Sequence, residues 1–163
     1  MDYIWTPWRY QYIATSAEAD ECVFCLILGK DPTRDKENLV LARQARTFVL
    51  LNRFPYTSGH LMIVARRHIS SLSEATTDEL NEIIDSARLS ECALRDVYRP
   101  DGFNMGFNLG KCAGAGVDGH LHLHVLPRWI GDANVVSVVG QTRVIPEELE
   151  TTFGRLSPYF LKR

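Results

Sequence analysis

His120-Leu121-His122-Leu123-His124-Val125-Leu126 sets three histidines at every second position, with apolar residues between them and Pro127-Arg128 behind. A period of two is that of a β-strand, where alternate side chains leave on one face. The three imidazoles therefore share a face, and Leu121, Leu123 and Val125 share the other. The chain holds five histidines, so three along one strand edge mark a site rather than a scatter. The reading assigns chemistry to one face and core to the other.

Working outward, Leu39 to Ala42, Arg46 to Leu51, His60 to Ala65 and Phe103 to Asn108 read as further strands, rich in branched and aromatic residues. Asn52 to Gly59 reads as a loop at the sheet end, because it holds Pro55 and Gly59. Thr76-Thr77-Asp78-Glu79 matches a capping box and opens the clearest helix. Leu80, Ile83, Ile84, Ala87, Glu91, Leu94 and Tyr98 follow its helical spacing, and all but Glu91 suit packing. Pro100-Asp101-Gly102 stops it. A shorter helix is expected near Pro146-Glu147-Glu148. Strands in succession, one long helix and then more strands make an α+β fold with an antiparallel sheet.

The 163 residues suit one domain, 1–163, divided into an extension at 1–21, a core at 22–129 and a tail at 130–163. Hydrophobic residues make up 45% and charged residues 23%, the proportions of a globular protein. A net charge of −2 speaks against general nucleic-acid binding, which normally brings a basic excess. No apolar run approaches the ~20 residues of a membrane span, and Met1 to Trp5 lacks the pattern of a secretory leader, so a cytoplasmic protein is expected. The aromatic opening Trp5-Thr6-Pro7-Trp8-Arg9-Tyr10 reads as an irregular segment over a groove or partner.

The four cysteines read as thiols or metal ligands rather than a disulfide framework. Cys22 and Cys25 form a Cys-x-x-Cys pair, yet the acidic stretch before them is not the strand a thioredoxin-like motif requires. A zinc site would need two further ligands, and the alternative is a pair of buried thiols. Gly106 to Cys112 fails as a phosphate-binding Walker loop. It has one residue too few between its glycines and a cysteine where Ser or Thr should bind magnesium.

Backbone positions two apart on a strand lie roughly 6.6 Å apart, so two imidazoles can lean onto one metal but three in a row cannot easily do so. Unequal roles are expected for His120, His122 and His124, with His122 central. A neutral imidazole has an ordinary pKa of about 6.5 and is a competent nucleophile toward phosphorus at neutral pH. The competing readings are a metal site and hydrogen-bonded sheet histidines. His60 reads as a residue that orders the sheet end.

The triad, Asn52-Arg53 ahead of Gly59-His60-Leu61-Met62-Ile63-Val64, the glycine loop Gly110 to Gly119, and Pro127-Arg128-Trp129 together resemble the histidine triad family of nucleotide hydrolases and transferases. The resemblance runs from Cys22 to Trp129. The Trp5-Thr6-Pro7-Trp8-Arg9 opening and the tail from Gly131 to Glu147 look most like a bacterial branch that phosphorolyses diadenosine tetraphosphate.

The resemblance implies that His122 attacks a nucleotide's α-phosphorus, forming a nucleotidyl-histidine that inorganic phosphate or water then resolves. It makes His124 a donor to a phosphate oxygen, places Asn108 and the amides of Gly114, Ala115 and Gly116 near the phosphates, and brings Asn52 to the ribose. It also implies His68 and His120 as the partners of Cys22 and Cys25 in a structural zinc site, and a homodimer. Where many relatives carry Gly-Gln-Ser/Thr ahead of the triad, this chain has Gly114-Ala115-Gly116-Val117-Asp118-Gly119, without such a side-chain donor. Arg128 and Trp129 are candidates for contact with a second nucleotide or else for closing the sheet end, and Arg9 for holding the distal phosphates of a long substrate or else for pairing with a surface acid. Rival readings are a nucleoside phosphoramidate hydrolase and a nucleotide-binding or zinc-stabilised interaction protein that turns nothing over.

Overall fold

A computed structural model describes residues 21–132 and 147–161. Their elements are α1 (Val23–Gly29), β1 (Val40–Arg43), β2 (Thr47–Leu51), β3 (Leu61–Ala65), α2 (Thr77–Tyr98), β4 (Gly102–Phe107), β5 (His122–Arg128) and α3 (Leu149–Phe160). The strands form one antiparallel sheet in the order β1-β2-β3-β5-β4. The expected α+β class and the four flanking strands hold, each within a residue or so at its ends.

His120 is the exception to the strand reading. β5 begins at His122 and runs on to Arg128, so the first histidine sits in the approach to the strand. Pro127 is tolerated inside β5 because β3 stops pairing at Leu61↔Val125, which leaves β5 only β4 as a neighbour beyond that point.

Period-two alternation then sorts the side chains into two layers. Val49, Leu51, Leu61, Ile63, Leu123 and Val125 face one way and pack with Leu121 against Ile83, Ala87, Ala93 and Leu94 of α2 and Leu156 and Phe160 of α3. A bulge between Val40 and Ala42 turns both Leu41 and Ala42 to this side. The other face is less purely chemical than its histidines suggest. Phe48, Leu50, Met62 and Val64 join Val40 there under Phe24 of α1, forming a second, smaller apolar cluster.

Helix α2 starts at the expected cap. Thr76 Oγ1 accepts the Glu79 amide, and Glu79 Oε2 accepts the Thr76 amide at 2.8 Å. Its inner face differs from the apolar spacing: Ile84 is 63% exposed, while Ser86, Ser90 and Ala93 are buried. Small residues on that stripe let the helix lie close to the sheet. At its far end Gly59, with φ of 76°, lies so near Leu94 that a Cβ would come within 2.9 Å of that side chain. A side chain there would have to displace the buried Leu94 side chain and hold a left-handed backbone that L residues rarely adopt.

Helix α3 begins three residues later than Pro146 suggested, with Glu148 as its cap. Helix α1 was not anticipated. Cys22 caps it and Cys25 lies in its first turn. At seven residues it is too short to be stable alone and depends on what it packs against. Residues 133–146, which hold Pro146 and part of the tail, and the aromatic opening with Trp5, Trp8 and Arg9 lie outside the described residues.

Candidate active site and metal cluster

The histidine face divides at Phe24, whose ring packs against His120 with centroids 5.4 Å apart and against His122 at 5.1 Å. On one side lies a cysteine and histidine cluster. On the other lies a cleft of about 560 Å³, lined by Val23, Phe24, Ile27 and Leu39 on its apolar wall and by His122 and His124 at its floor. Leu39 holds a left-handed backbone with φ of 60°, fixed by its amide on the Lys36 carbonyl and its own carbonyl under the Leu51 amide.

His122 is buried, and its Nδ1 lies 2.7 Å from the His120 carbonyl. A carbonyl only accepts, so Nδ1 carries the proton and Nε2 holds the lone pair. Burial pushes the His122 pKa down, which keeps that lone pair unprotonated at neutral pH.

His124 is arranged the opposite way. The Tyr56 amide donates to His60 Nδ1 at 3.2 Å, and Asn52 Nδ2 lies 3.3 Å from the same atom. His60 therefore carries its proton on Nε2, which donates to His124 Nδ1 at 2.9 Å. The proton of neutral His124 is thereby placed on its Nε2. Burial, and then the charge of His122, push the His124 pKa down to about 4. Two neighbouring rings, with centroids 4.9 Å apart, thus present a nucleophilic nitrogen and an N–H donor.

The remaining expected contacts divide. Asn52, Gly114, Ala115 and Gly116 line the cleft. Gly114, with φ of 87°, makes the loop's turn in a conformation suited to glycine. Asn108 follows the end of β4 and is not part of the lining. The Asn52 amide is already engaged, since Oδ1 accepts the Phe54 amide at 2.9 Å while Nδ2 faces His60. Arg128 pairs with Asp132 and donates to Asn104 at 2.7 Å, and Trp129 packs edge-on against Tyr98, so these two close the sheet end. Reading the sequence missed Tyr56, whose ring lies 4.7 Å from His60, and missed Phe24 as the divider. Neither carries a motif; only the fold brings them there.

In the cluster, Cys22 Sγ lies 3.2 Å from His120 Nδ1, Cys25 Sγ lies 3.2 Å from His68 Nδ1, and Cys25 Sγ lies 3.6 Å from His120 Nδ1. All four donor atoms fall within 4.8 Å of one another. A tetrahedral ion with bonds of about 2.3 Å to sulfur and 2.0–2.1 Å to nitrogen requires sulfur and nitrogen ligands roughly 3.5 Å apart, so the set fits one ion. His120 Nε2 donates to the Ala65 carbonyl at 2.7 Å, which leaves Nδ1 with the lone pair a metal needs. Burial, followed by the neighbouring Cys22, pushes the Cys25 thiol pKa up, and a bound cation would relieve that crowding.

Residues 33–129 match the HIT domain family, so the chain belongs to that family. It is 38% identical over 154 residues to an AP-4-A phosphorylase of Mycobacterium tuberculosis, an alignment covering 91% of this chain and 79% of the relative. It is 26% identical over 122 residues to the asymmetrical bis(5'-nucleosyl)-tetraphosphatase of Schizosaccharomyces pombe, covering 75% and 63% of the two chains. Among solved structures it is similar to a zinc-bound histidine triad family protein of Mycobacterium smegmatis. The TM-score is 0.68 with 26% identity, covering 90% of this chain and 96% of that one.

Proposed function

We propose that this protein is a nucleotidyl transferase acting on dinucleoside polyphosphates, with diadenosine tetraphosphate as the favoured substrate and inorganic phosphate or water as acceptor. The observation that carries the reading is the opposed pair at the cleft floor, a lone pair on His122 Nε2 beside an N–H on His124 Nε2. His122 Nε2 attacks the α-phosphorus and the bond to the departing polyphosphate breaks, which forms an adenylyl-histidine. His124 donates to a phosphate oxygen and steadies the charge that gathers there. An acceptor oxygen then forms its own bond to phosphorus and the P–N bond returns its electrons to Nε2. The apolar wall of Val23, Phe24 and Ile27 suits a base. The similarity to an AP-4-A phosphorylase supports the substrate class.

Zinc held by Cys22, Cys25, His68 and His120 is part of the proposal, and its contribution is structural: four protein ligands close the ion's sphere and tie α1 to the sheet. His120 is thereby taken from the reacting groups. Asn52 and the amides of Gly114 to Gly116 are proposed to meet ribose and phosphates, and Asn108 to act at most through the loop that follows it. By the family resemblance two copies are expected to associate through a sheet edge and the long helix α2, and β4 is such an edge, with Asn104 and Met105 exposed. A cytoplasmic location belongs to the same reading; among the described residues no helix is long and apolar enough to cross a membrane.

The test is a product analysis with diadenosine tetraphosphate. ADP and ATP in the presence of phosphate identify phosphorolysis, and AMP and ATP identify hydrolysis. Binding without any product would overturn the enzymatic reading in favour of a sensor.

A further inference from the structure

The cleft has an uneven charge inventory. Its lining includes two cations, Arg53 and Lys111, and one acid, Asp118. Arg53 has a backbone partner, since its guanidinium reaches the Glu37 carbonyl at 3.4 Å. The exposed Lys111 lies in the loop that continues into Gly114, Ala115 and Gly116, and its ammonium makes no hydrogen bond or ion pair among the described residues. Most of the other described cations do: Arg34, Lys36, Arg43, Arg46, Arg67, Arg88, Arg95, Arg128 and Arg155 all sit in ion pairs. The His124 ring supplies no substitute, because its Nδ1 accepts from His60 Nε2, as only a ring without the second proton can.

The chemistry says where such a cation acts. In each half-reaction the attacking and leaving atoms lie roughly in line across the phosphorus. His122 Nε2 holds one end of that line in both halves. The departing polyphosphate oxygen in the first half and the acceptor oxygen in the second therefore share the other end. A group that holds the phosphate next to the reacting phosphorus in the first half will hold an incoming inorganic phosphate in the second.

Resting on the reading of the site given above, we infer that Lys111 is the residue that selects the acceptor, gripping inorganic phosphate at the place the polyphosphate has left and so favouring phosphorolysis over hydrolysis. In that step a phosphate oxygen bonds to the adenylyl phosphorus, the P–N bond breaks toward His122 Nε2, and ADP is released. Water needs no cation at that place, and its attack releases AMP.

The experiment uses the full chain, radiolabelled diadenosine tetraphosphate and a series of inorganic phosphate concentrations, comparing wild type with Lys111→Met and Lys111→Arg. The readouts are the ADP-to-AMP product ratio and the amount of adenylyl-enzyme trapped by rapid acid quench. Because Lys111 is proposed to make a charge-assisted hydrogen bond to the phosphate, Lys111→Met is expected to lower the ratio at fixed phosphate by about tenfold. Lys111→Arg should restore most of it. Lys111→Met still forms adenylyl-enzyme, more slowly because the departing polyphosphate is held less well. An unchanged ratio in Lys111→Met, with labelling intact, overturns the assignment of Lys111 alone. Wild-type protein that yields only AMP at millimolar phosphate also overturns it. Absence of labelled enzyme from wild type overturns the covalent mechanism on which the inference rests.

Discussion

The two faces of the sheet are covered to different depths. On the helix face a cluster of sixteen buried residues fixes α2 and α3. On the histidine face the corresponding cluster has six, and its cover is the seven-residue α1. Apolar burial at roughly 25 cal/mol per Å² can carry the first layer by itself. The second layer is thin, and its cover brings two cysteines to two histidines. The contrast teaches that the protein keeps most of its apolar packing on one side and, on the other, a thin wall that the proposed zinc would anchor while leaving the cleft open.

The sharpest way to break that contrast is to disturb each face separately. His122→Asn removes the lone pair at Nε2 without opening the core. Turnover should fall by at least ~10³-fold, with covalent labelling lost and the melting temperature close to wild type. Ile83→Ala should do the reverse. Truncating a fully buried side chain of this kind costs about 2–5 kcal/mol, read by urea unfolding, while the KM for the dinucleotide stays within about twofold. A large KM change in Ile83→Ala would show that the two layers are not independent.

Cys22→Ser tests the proposed ligation of that cover. Zinc content, measured by elemental analysis, should drop, and nucleotide affinity should weaken by roughly tenfold as Val23, Phe24 and Ile27 lose their anchor. Retained affinity in a zinc-free variant would mean that Phe24 and its neighbours hold α1 unaided.

How far these layers were legible in the sequence follows from how far each signal reaches along the chain. The triad and the capping box are local, and both stood out: His122 and His124 share a face as the period of two requires, and Thr76 and Glu79 cap each other. The helix face of α2 was only half legible. Ile84 fits the apolar spacing yet points outward, because the interface selects the small Ser86, Ser90 and Ala93 so that helix and sheet can approach. Helix α1 left no periodic trace, since seven mostly apolar residues look alike as helix, strand or loop. The partnership of His60 with His124 joins positions 64 apart and needs the β3–β5 register to become visible. His120 was placed correctly on the histidine face, while its departure from the strand reflects its hydrogen bond to Ala65 and its turn toward the thiols.

The smallest expected effect also separates the faces, through two windows of pH. His124, on the cleft side, has its pKa pushed from 6.5 to about 4, chiefly by burial. The folded state then binds fewer protons than the unfolded chain between those values, so this contribution to stability is present above pH 6.5 and is lost as pH falls toward 4. Glu79, on the helix side, has its pKa lowered from 4.5 to about 2, first by the hydrogen bonds from Arg67 and against the opposing effect of burial. Its contribution is present above 4.5 and is lost only as pH falls toward 2. Urea unfolding at closely spaced pH values should therefore show stability declining in two stages. Glu79→Gln should flatten the lower stage and leave the slope between pH 6.5 and 4.5 as it was. If Glu79→Gln instead flattened the upper stage, the carboxylate at the helix cap would be coupled to the cleft histidines, and the division between a supporting face and a reacting face would have to be given up.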